Sequence, residues 1–285
     1  MNNLTQYIKY NPITSSLFRY FYRLRCRRLK SIIFVATTGR SGTMTFVDIF
    51  NHIPDCKAEH EPYPGMFDEI LSAKSSGNEY VVKNAYWLIK SINLWRAAVG
   101  FKHYLESNHM FIKTYIEYAI EDFSDKVVIV HLIRDPVKVA NSIYALQDFP
   151  GTIEGNKWWL DYRADNNLIR ISDYLDNDGE FSHSFYKGLW YWYEIEERVK
   201  FWKKSLPNVH FIDFNTDDFN DQSKIFQLLR DLNIDFDSSS LSSKISTQSN
   251  TRPHQKVVEP LPIEHAALMH EKFKNLLYTL NVRHI

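Results

Sequence analysis

Two short stretches of this chain carry the residue types that hold anions. The first runs Thr37, Thr38, Gly39, Arg40, Ser41, Gly42, Thr43, Met44, Thr45. An apolar β-branched run at 32–36 precedes it and an amphipathic stretch at 43–50 follows. The run reads as a buried parallel strand, the small residues at 37–42 as a tight loop and the last stretch as a helix. A loop between strand and helix aims backbone N–H groups at one point, where phosphate-like anions bind. Arg40 adds a full charge, and Ser41, Thr43 and Thr45 add hydroxyl donors. The spacing is not that of the Walker A loop, G-x-x-x-x-G-K-[ST]. Gly39 and Gly42 are three apart, and Thr43 stands where the lysine would follow Gly42. The plainer reading of the stretch is an ordinary strand–turn–helix.

The second stretch covers 127–144. Residues 127–133 form a near-continuous apolar run, read as a strand, and Asp135 and Pro136 suit the N-cap and first position of a helix. Arg134 then sits at the strand–helix junction, with Ser142 about two turns along the helix. A guanidinium offers phosphate oxygens a planar fork of donors.

Further groups are expected near the same sheet edge. Residues 56–60 read as a second strand, with Pro62, Pro64 and Gly65 as breakers, so Glu59, His60 and Glu61 fall at its C-terminal end. Ligands of open parallel sheets bind beside those ends, and a partly desolvated carboxylate there can act as a general base. Residues 79–83 and 109–113 read as two more strands, closed by Lys83 and Lys113. The segment 87–104 between them reads as a helix with Leu88, Ile92, Trp95 and Val99 on its apolar stripe.

Composition narrows the class. The chain has 285 residues and balances 34 Lys and Arg against 34 Asp and Glu, so no global charge draws it to nucleic acid. Two cysteines, Cys26 and Cys56, give neither a disulfide framework nor a metal spacing, and suit a reducing, cytoplasmic compartment. No apolar run is long enough to span a bilayer. Residues 1–30 differ from the rest: Lys9, Arg19, Arg23, Arg25, Arg27, Arg28 and Lys30 are interleaved with apolar residues, and no acid is present. Such a basic amphipathic segment can lie on an anionic membrane surface, or simply pack its aromatics on the domain.

The two anion motifs together resemble the sulfotransferases that use 3′-phosphoadenosine 5′-phosphosulfate (PAPS). In that family a strand–loop–helix near the N-terminus holds the 5′-phosphosulfate, and residues 38–43 look like it. The version with arginine, here Arg40, is similar to the carbohydrate-type branch. The family's second motif is a strand, then Arg-Asp/Asn-Pro, then a helix serine eight positions after the arginine. It holds the 3′-phosphate, and Arg134, Asp135, Pro136 and Ser142 match it. Glu61, twenty-one positions after Arg40, stands where carbohydrate-type members often carry a catalytic glutamate. Residues 111–114 resemble the Lys-Thr-His strand end of the small-molecule branch, but Tyr115 replaces its basic histidine. The resemblance therefore assigns the base to Glu61, with His60 as alternative, and the leaving-group charge to Arg40 and Lys113 or Lys83. Residues 209–219 are similar to the family's late strand, and Arg252 and Lys256 lie where a basic loop closes over the 3′-phosphate.

What the resemblance implies is one α/β domain at 31–285 of P-loop-NTPase-like topology, a central parallel sheet flanked by helices. A helical insert at 146–205 would face the acceptor, with Trp158, Trp159, Tyr162 and Arg163 as its wall. Residues 185–204 and 264–280 read as helices, the latter with Leu268, Phe273, Leu276 and Leu277 inward; 238–250 reads as a Ser-rich loop. The implied activity is O-sulfotransfer to a hydroxyl acceptor, a glycan or glycolipid in that branch, with PAPS as co-substrate and no metal. A phosphotransferase with a degenerate P-loop and a non-catalytic anion- or membrane-binding protein are the alternatives.

Overall fold

The central strand sets the layers. In the computed structural model, which describes residues 12–176, 179–245 and 256–282, β1 (Ser31–Ala36) is buried along its whole length. Ile32, Phe34 and Ala36 point into one hydrophobic core and Ile33 and Val35 into another. A strand covered on both faces reads as a continuous apolar run, which is why it was legible. Four parallel partners complete the sheet in the order β2-β3-β1-β4-β5: β2 is Cys56–His60, β3 His103–Ser107, β4 Val127–Ile133 and β5 His210–Asn215. The chain thus leaves β1 towards one side of the sheet and crosses after β3 to the other. The C-terminal end of β1 is the switch point where such sheets open a crevice.

The helices, in chain order, are α1 (Pro12–Cys26), α2 (Thr43–Asn51), α3 (Glu69–Ser75), α4 (Glu79–Ala85), α5 (Ser91–Ala97), α6 (Ile116–Phe123), α7 (Pro136–Leu146), α8 (Ser172–Asp176), α9 (Ser184–Ser205), α10 (Gln222–Asp231), α11 (Ser238–Lys244) and α12 (Ile263–Thr279). Residues of α2 and α10 cover one face of the sheet; α9, α12 and the segment before α6 fill the other core. Among the described residues, no helix is long and apolar enough to cross a membrane. Cys26 and Cys56 are free and buried, and burial pushes both thiols up to about 12.

Several expected elements differ. Residues 79–83 are not a strand but the start of α4, which buries Val82 and leaves Tyr80 and Val81 exposed. Tertiary context overrides the β-propensity of this short run. Lys83 therefore closes no strand; its Nζ lies 4.3 Å from the ring centre of Trp87. Residues 109–113 are not a strand either. Asn108 Oδ1 accepts the Met110 N–H at 2.9 Å and starts a wide helical turn, Phe111–Tyr115, which continues into α6. The strand of this region is β3, which overlaps the last two residues of the expected 87–104 helix and runs beyond it; the helix instead stops at Ala97 and leaves Val99 exposed. Residues 238–244 are the helix α11 rather than loop, its first turn capped by Asp237. On α12 Leu268 faces solvent, while Ala266, Met269, Phe273 and Leu277 face inward.

The polar residue in β3 explains why its run was not read as strand. Glu106 is fully buried, and so is Lys90, whose Nζ lies 2.6 Å from Glu106 Oε1. Tyr115 OH and Asn108 Nδ2 donate to Glu106 Oε1 at 2.6 and 3.1 Å, and Tyr104 OH to Oε2 at 3.1 Å. Lys90 also donates to the carbonyls of Pro62 and Pro64, at 2.8 and 3.0 Å, and so ties down the loop after β2. Burial pulls the Lys90 ammonium below its ordinary value and the Glu106 charge opposes this. Removing one member of such a pair strands the other in a dry site. Lys90→Met should lower stability by about 3–5 kcal/mol, with Lys90→Met/Glu106→Gln recovering part of the loss. Urea unfolding of the two variants checks this, and a single-variant cost near zero would remove the pair as a support.

Candidate active site

The loop after β1 is built to turn tightly. Gly39, Arg40 and Gly42 all have positive φ, at 79°, 56° and 80°. A Cβ at Gly39 would also lie 3.2 Å from the His109 ring, tighter than ordinary contact. The loop's carbonyls are engaged by side chains from elsewhere. Tyr191 OH of α9 donates to the Thr38 carbonyl at 2.8 Å, Thr216 Oγ1 to that of Ser41 at 2.9 Å, and Arg134 Nη1 to that of Arg40. Thr37 Oγ1 donates to the Leu132 carbonyl at 3.0 Å and lies 2.5 Å from Ser41 Oγ. Gly42 then caps α2 without a side chain, so the first turn of that helix offers its amides at the loop.

The second anion motif meets the first. Arg134 ends β4, and Asp135 caps α7 by accepting the Lys138 N–H. About two turns along the helix, Ser142 accepts from Arg40 Nε at 2.9 Å. Trp192 Nε1 donates to the Arg134 carbonyl at 2.8 Å. Two guanidiniums thus stand side by side. Burial lowers both from their ordinary value, and the charge of Arg134 lowers Arg40 further. A dianion placed between them would relieve this repulsion.

A cavity of about 520 Å³ separates this wall from an acid–base wall. Glu61 holds a left-handed φ of 46° at the end of β2, and its N–H donates to the Ser107 carbonyl at 3.1 Å. Glu61 Oε1 lies 3.5 Å from His109 Nε2, and His109 Nδ1 lies 2.8 Å from Lys113 Nζ. Lys113 also donates to the Trp158 carbonyl at 2.6 Å and to Tyr191 OH at 3.1 Å. An ammonium there places its three protons on these three acceptors. His109 Nδ1 then accepts, and its Nε2–H faces Glu61. A neutral Lys113 amine would accept from Nδ1–H instead and leave the Nε2 lone pair at the cavity. Burial pulls Lys113 well down, opposed by the Glu61 charge; burial and the Lys113 charge hold His109 well below its ordinary value. His60 Nε2 lies 2.9 Å from Thr43 Oγ1.

The cavity brings together Gly39, Arg40, Ser41, Gly42, Thr43, Met44, His60, Glu61, Arg134, Ser142, Trp158 and Trp159. Other expected residues stand apart from its lining. Thr38 is buried behind the loop, and Thr45 is half-buried in the first turn of α2. Lys113 lies beneath the wall and reaches the cavity through His109. Tyr162 packs edge-on against Trp190 with its hydroxyl on Asp176, and exposed Arg163 pairs with Asp161 at 2.8 Å. Lys256 is exposed, while its neighbour Val257 donates to the Ala145 carbonyl at 2.8 Å, one residue before cavity-lining Leu146. Arg252 lies outside the described residues. Four lining residues were not anticipated: His109, Leu146, Asp148 and Thr216. The signal for His109 was the absence of a histidine at Tyr115, which leaves His109 as the nearest imidazole on that segment. Burial raises the Asp148 carboxyl, opposed by the Arg40 charge. Among the described residues, no group of three His, Cys, Asp or Glu side chains is placed to hold a metal.

No family model matches the chain, and no curated protein matches it. Solved structures do. A sulfotransferase domain from the curacin biosynthetic pathway is 12% identical with TM-score 0.46, covering 87% of this chain and 98% of that one. Mouse sulfotransferase SULT7A1, complexed with PAP, is 16% identical with TM-score 0.41, covering 79% and 67%. Sulfotransferase STF9 from Mycobacterium avium is 10% identical with TM-score 0.49, covering 93% and 82%. The α/β architecture of this chain stands on its own strand order.

His109 makes acid stability informative. The folded protein resists protonating it, whereas the unfolded chain protonates it near pH 6.5, so its contribution is full above that pH and is lost as pH falls below it, by up to about 1.4 kcal/mol per unit. Between about pH 7.5 and about pH 5, the parent should therefore lose more stability than His109→Gln. Denaturant unfolding at the two pH values tests this, and parallel losses would show that His109 titrates normally.

Proposed function

We propose that the cavity transfers a sulfuryl group from PAPS to a hydroxyl acceptor. The observation that carries this reading is the junction of the two anion motifs: Arg40 bonded to Ser142, and Arg134 bonded to the Arg40 carbonyl, across the cavity from Glu61. PAPS is a ligand with two anionic ends. The turned loop with its glycines and the uncapped first turn of α2 suit the 5′-phosphosulfate, and Arg134 and Ser142 suit the 3′-phosphate. Each of these groups is a donor, which fits a polyanion.

In-line transfer breaks the bond from sulfur to the 5′-phosphate oxygen and forms one from sulfur to the acceptor oxygen. The acceptor's proton goes to Glu61. Negative charge grows on the bridging oxygen that leaves, and Arg40 and the loop amides meet it. Lys113 has no direct part in this reading. As an ammonium it orients His109, whose Nε2–H steadies the Glu61 carboxylate between turnovers. With the amine form of Lys113, His109 Nε2 takes over as acceptor and Glu61 stabilises the imidazolium.

The half-buried Trp158 at the cavity supports a carbohydrate acceptor, since aromatic planes stack on the apolar faces of sugar rings. Trp158 is braced by Phe67 at a ring separation of 4.4 Å and Trp159 by His109 at 5.4 Å.

Calorimetric titration with 3′-phosphoadenosine 5′-phosphate in EDTA, against Mg-ATP, tests the reading. Binding should be metal-free and weaken at least tenfold in Arg134→Ala, about 1.4 kcal/mol or more. Glu61→Gln should keep nucleotide affinity while lowering turnover about 10²–10⁴-fold. Preference for Mg-ATP would place a phosphotransferase first.

A further inference from the structure

Helix α1 carries two apolar faces, and the protein uses one. Tyr22 and Cys26 are fully buried, and Phe18 stacks between Tyr22 at 6.1 Å and Trp95 at 6.5 Å. On the other face Leu17, Tyr20, Phe21 and Leu24 recur at i, i+3, i+4 and i+7, the spacing of one helical stripe. They are 54%, 63%, 54% and 47% exposed. Single exposed apolar residues are ordinary, but a full stripe of four is not.

The charges beside the stripe say what covers it. Arg19 is taken by Asp122 and Glu121, at 2.6 and 2.8 Å, and Arg25 lies 5.1 Å from the Trp95 ring centre. Arg23, Arg27 and Arg28 are exposed along the helix and the turn after it, with Arg23 no closer than 3.9 Å to Asp122. A second cavity, about 640 Å³, opens beside the helix and is lined by Arg19, Arg23, Arg27 and Lys126 together with Asp122 and Asp125. Residues 1–30 contain no acid to offset these charges. Leu17, Tyr20, Phe21 and Leu24 form an exposed apolar stripe rimmed by guanidiniums on flexible stems, and Tyr20 and Leu24 also border this second cavity. Such a stripe fits the headgroup region of a bilayer, with the apolar residues at acyl depth and the arginines extended to lipid phosphates.

We propose that α1 docks this protein in the plane of an anionic lipid surface, through Leu17, Tyr20, Phe21 and Leu24 with Arg23, Arg27 and Arg28 on phosphate groups. The inference stands apart from the sulfuryl-transfer reading, because none of these residues lines the active cavity.

Flotation of the full chain with vesicles tests it. Vesicles of phosphatidylcholine containing about one quarter phosphatidylserine should carry the protein, pure phosphatidylcholine should not, and Arg23→Gln/Arg27→Gln should lower partition about 25-fold. Phe21→Ser/Leu24→Ser should lower it at least about tenfold. Both double variants change exposed side chains, so their urea midpoints should match the parent. A parent that ignores anionic vesicles, or variants that bind as the parent does, would overturn the proposal. So would a parent that sediments as a dimer and is made monomeric by Phe21→Ser/Leu24→Ser, since the stripe would then be covered by a second copy.

Discussion

A single buried cation holds the acid–base side of this molecule in place. Lys90 reaches Glu106 in the sheet and the carbonyls of Pro62 and Pro64 in the loop after β2. Glu61 precedes that loop in a left-handed conformation that costs a non-glycine residue about 1–2 kcal/mol. The carboxylate is thus fixed from two directions: its N–H by the Ser107 carbonyl of β3, and the chain beyond it by Lys90. The Glu106 network of Tyr104, Tyr115 and Asn108 extends the same support to the turn that carries His109 and Lys113. Such a network is favourable only as a whole, since a buried charge with partners missing is worse than none.

The anion side obeys a different constraint. Arg40 and Arg134 are half-buried like charges, and nothing in hydrophobic packing calls for bringing them together. Their adjacency follows from topology. The loops after β1 and β4 lie side by side because those strands pair in the middle of the sheet, with Ala36 opposite His131. The fold therefore delivers two motifs that lie 94 positions apart, as the Arg40–Arg134 separation shows, to one crevice.

The parts of the fold written in local pattern were legible. A continuous apolar run, two glycines and an Asp-Pro helix start place β1, the anion loop, β4 and α7 within a residue or two. The long stripe of α9 was equally plain. What local pattern concealed was β3, where a buried glutamate interrupts the apolar run and its compensating lysine lies sixteen positions earlier, at Lys90. Residues 79–83 misled in the opposite way, since a β-branched pair inside a short amphipathic helix imitates a strand. His109 could not be read as a cavity residue without knowing that β3 ends at Ser107 and that Asn108 turns the chain back across Gly39. Tyr162 and Arg163 were drawn into the acceptor wall by their neighbours in sequence; the short turn Gly155–Lys157 sends Trp158 and Trp159 into the cavity and leaves the next residues in the packing of the insert.

Two consecutive residues of α9 tie that helix to both anion motifs. Tyr191 donates to the Thr38 carbonyl and Trp192 to the Arg134 carbonyl, so one helical step braces both loops of the cavity. Tyr191 also accepts a hydrogen bond from Lys113, which puts the acid–base wall on the same strut. The segment between α7 and α8 is fastened to the same helix, since Glu194 accepts from the Leu168 and Ile169 N–H groups and Trp190 Nε1 donates to the Ile169 carbonyl. A graft that exchanged that segment without α9 would cut these ties, so segment and helix travel as one inherited unit.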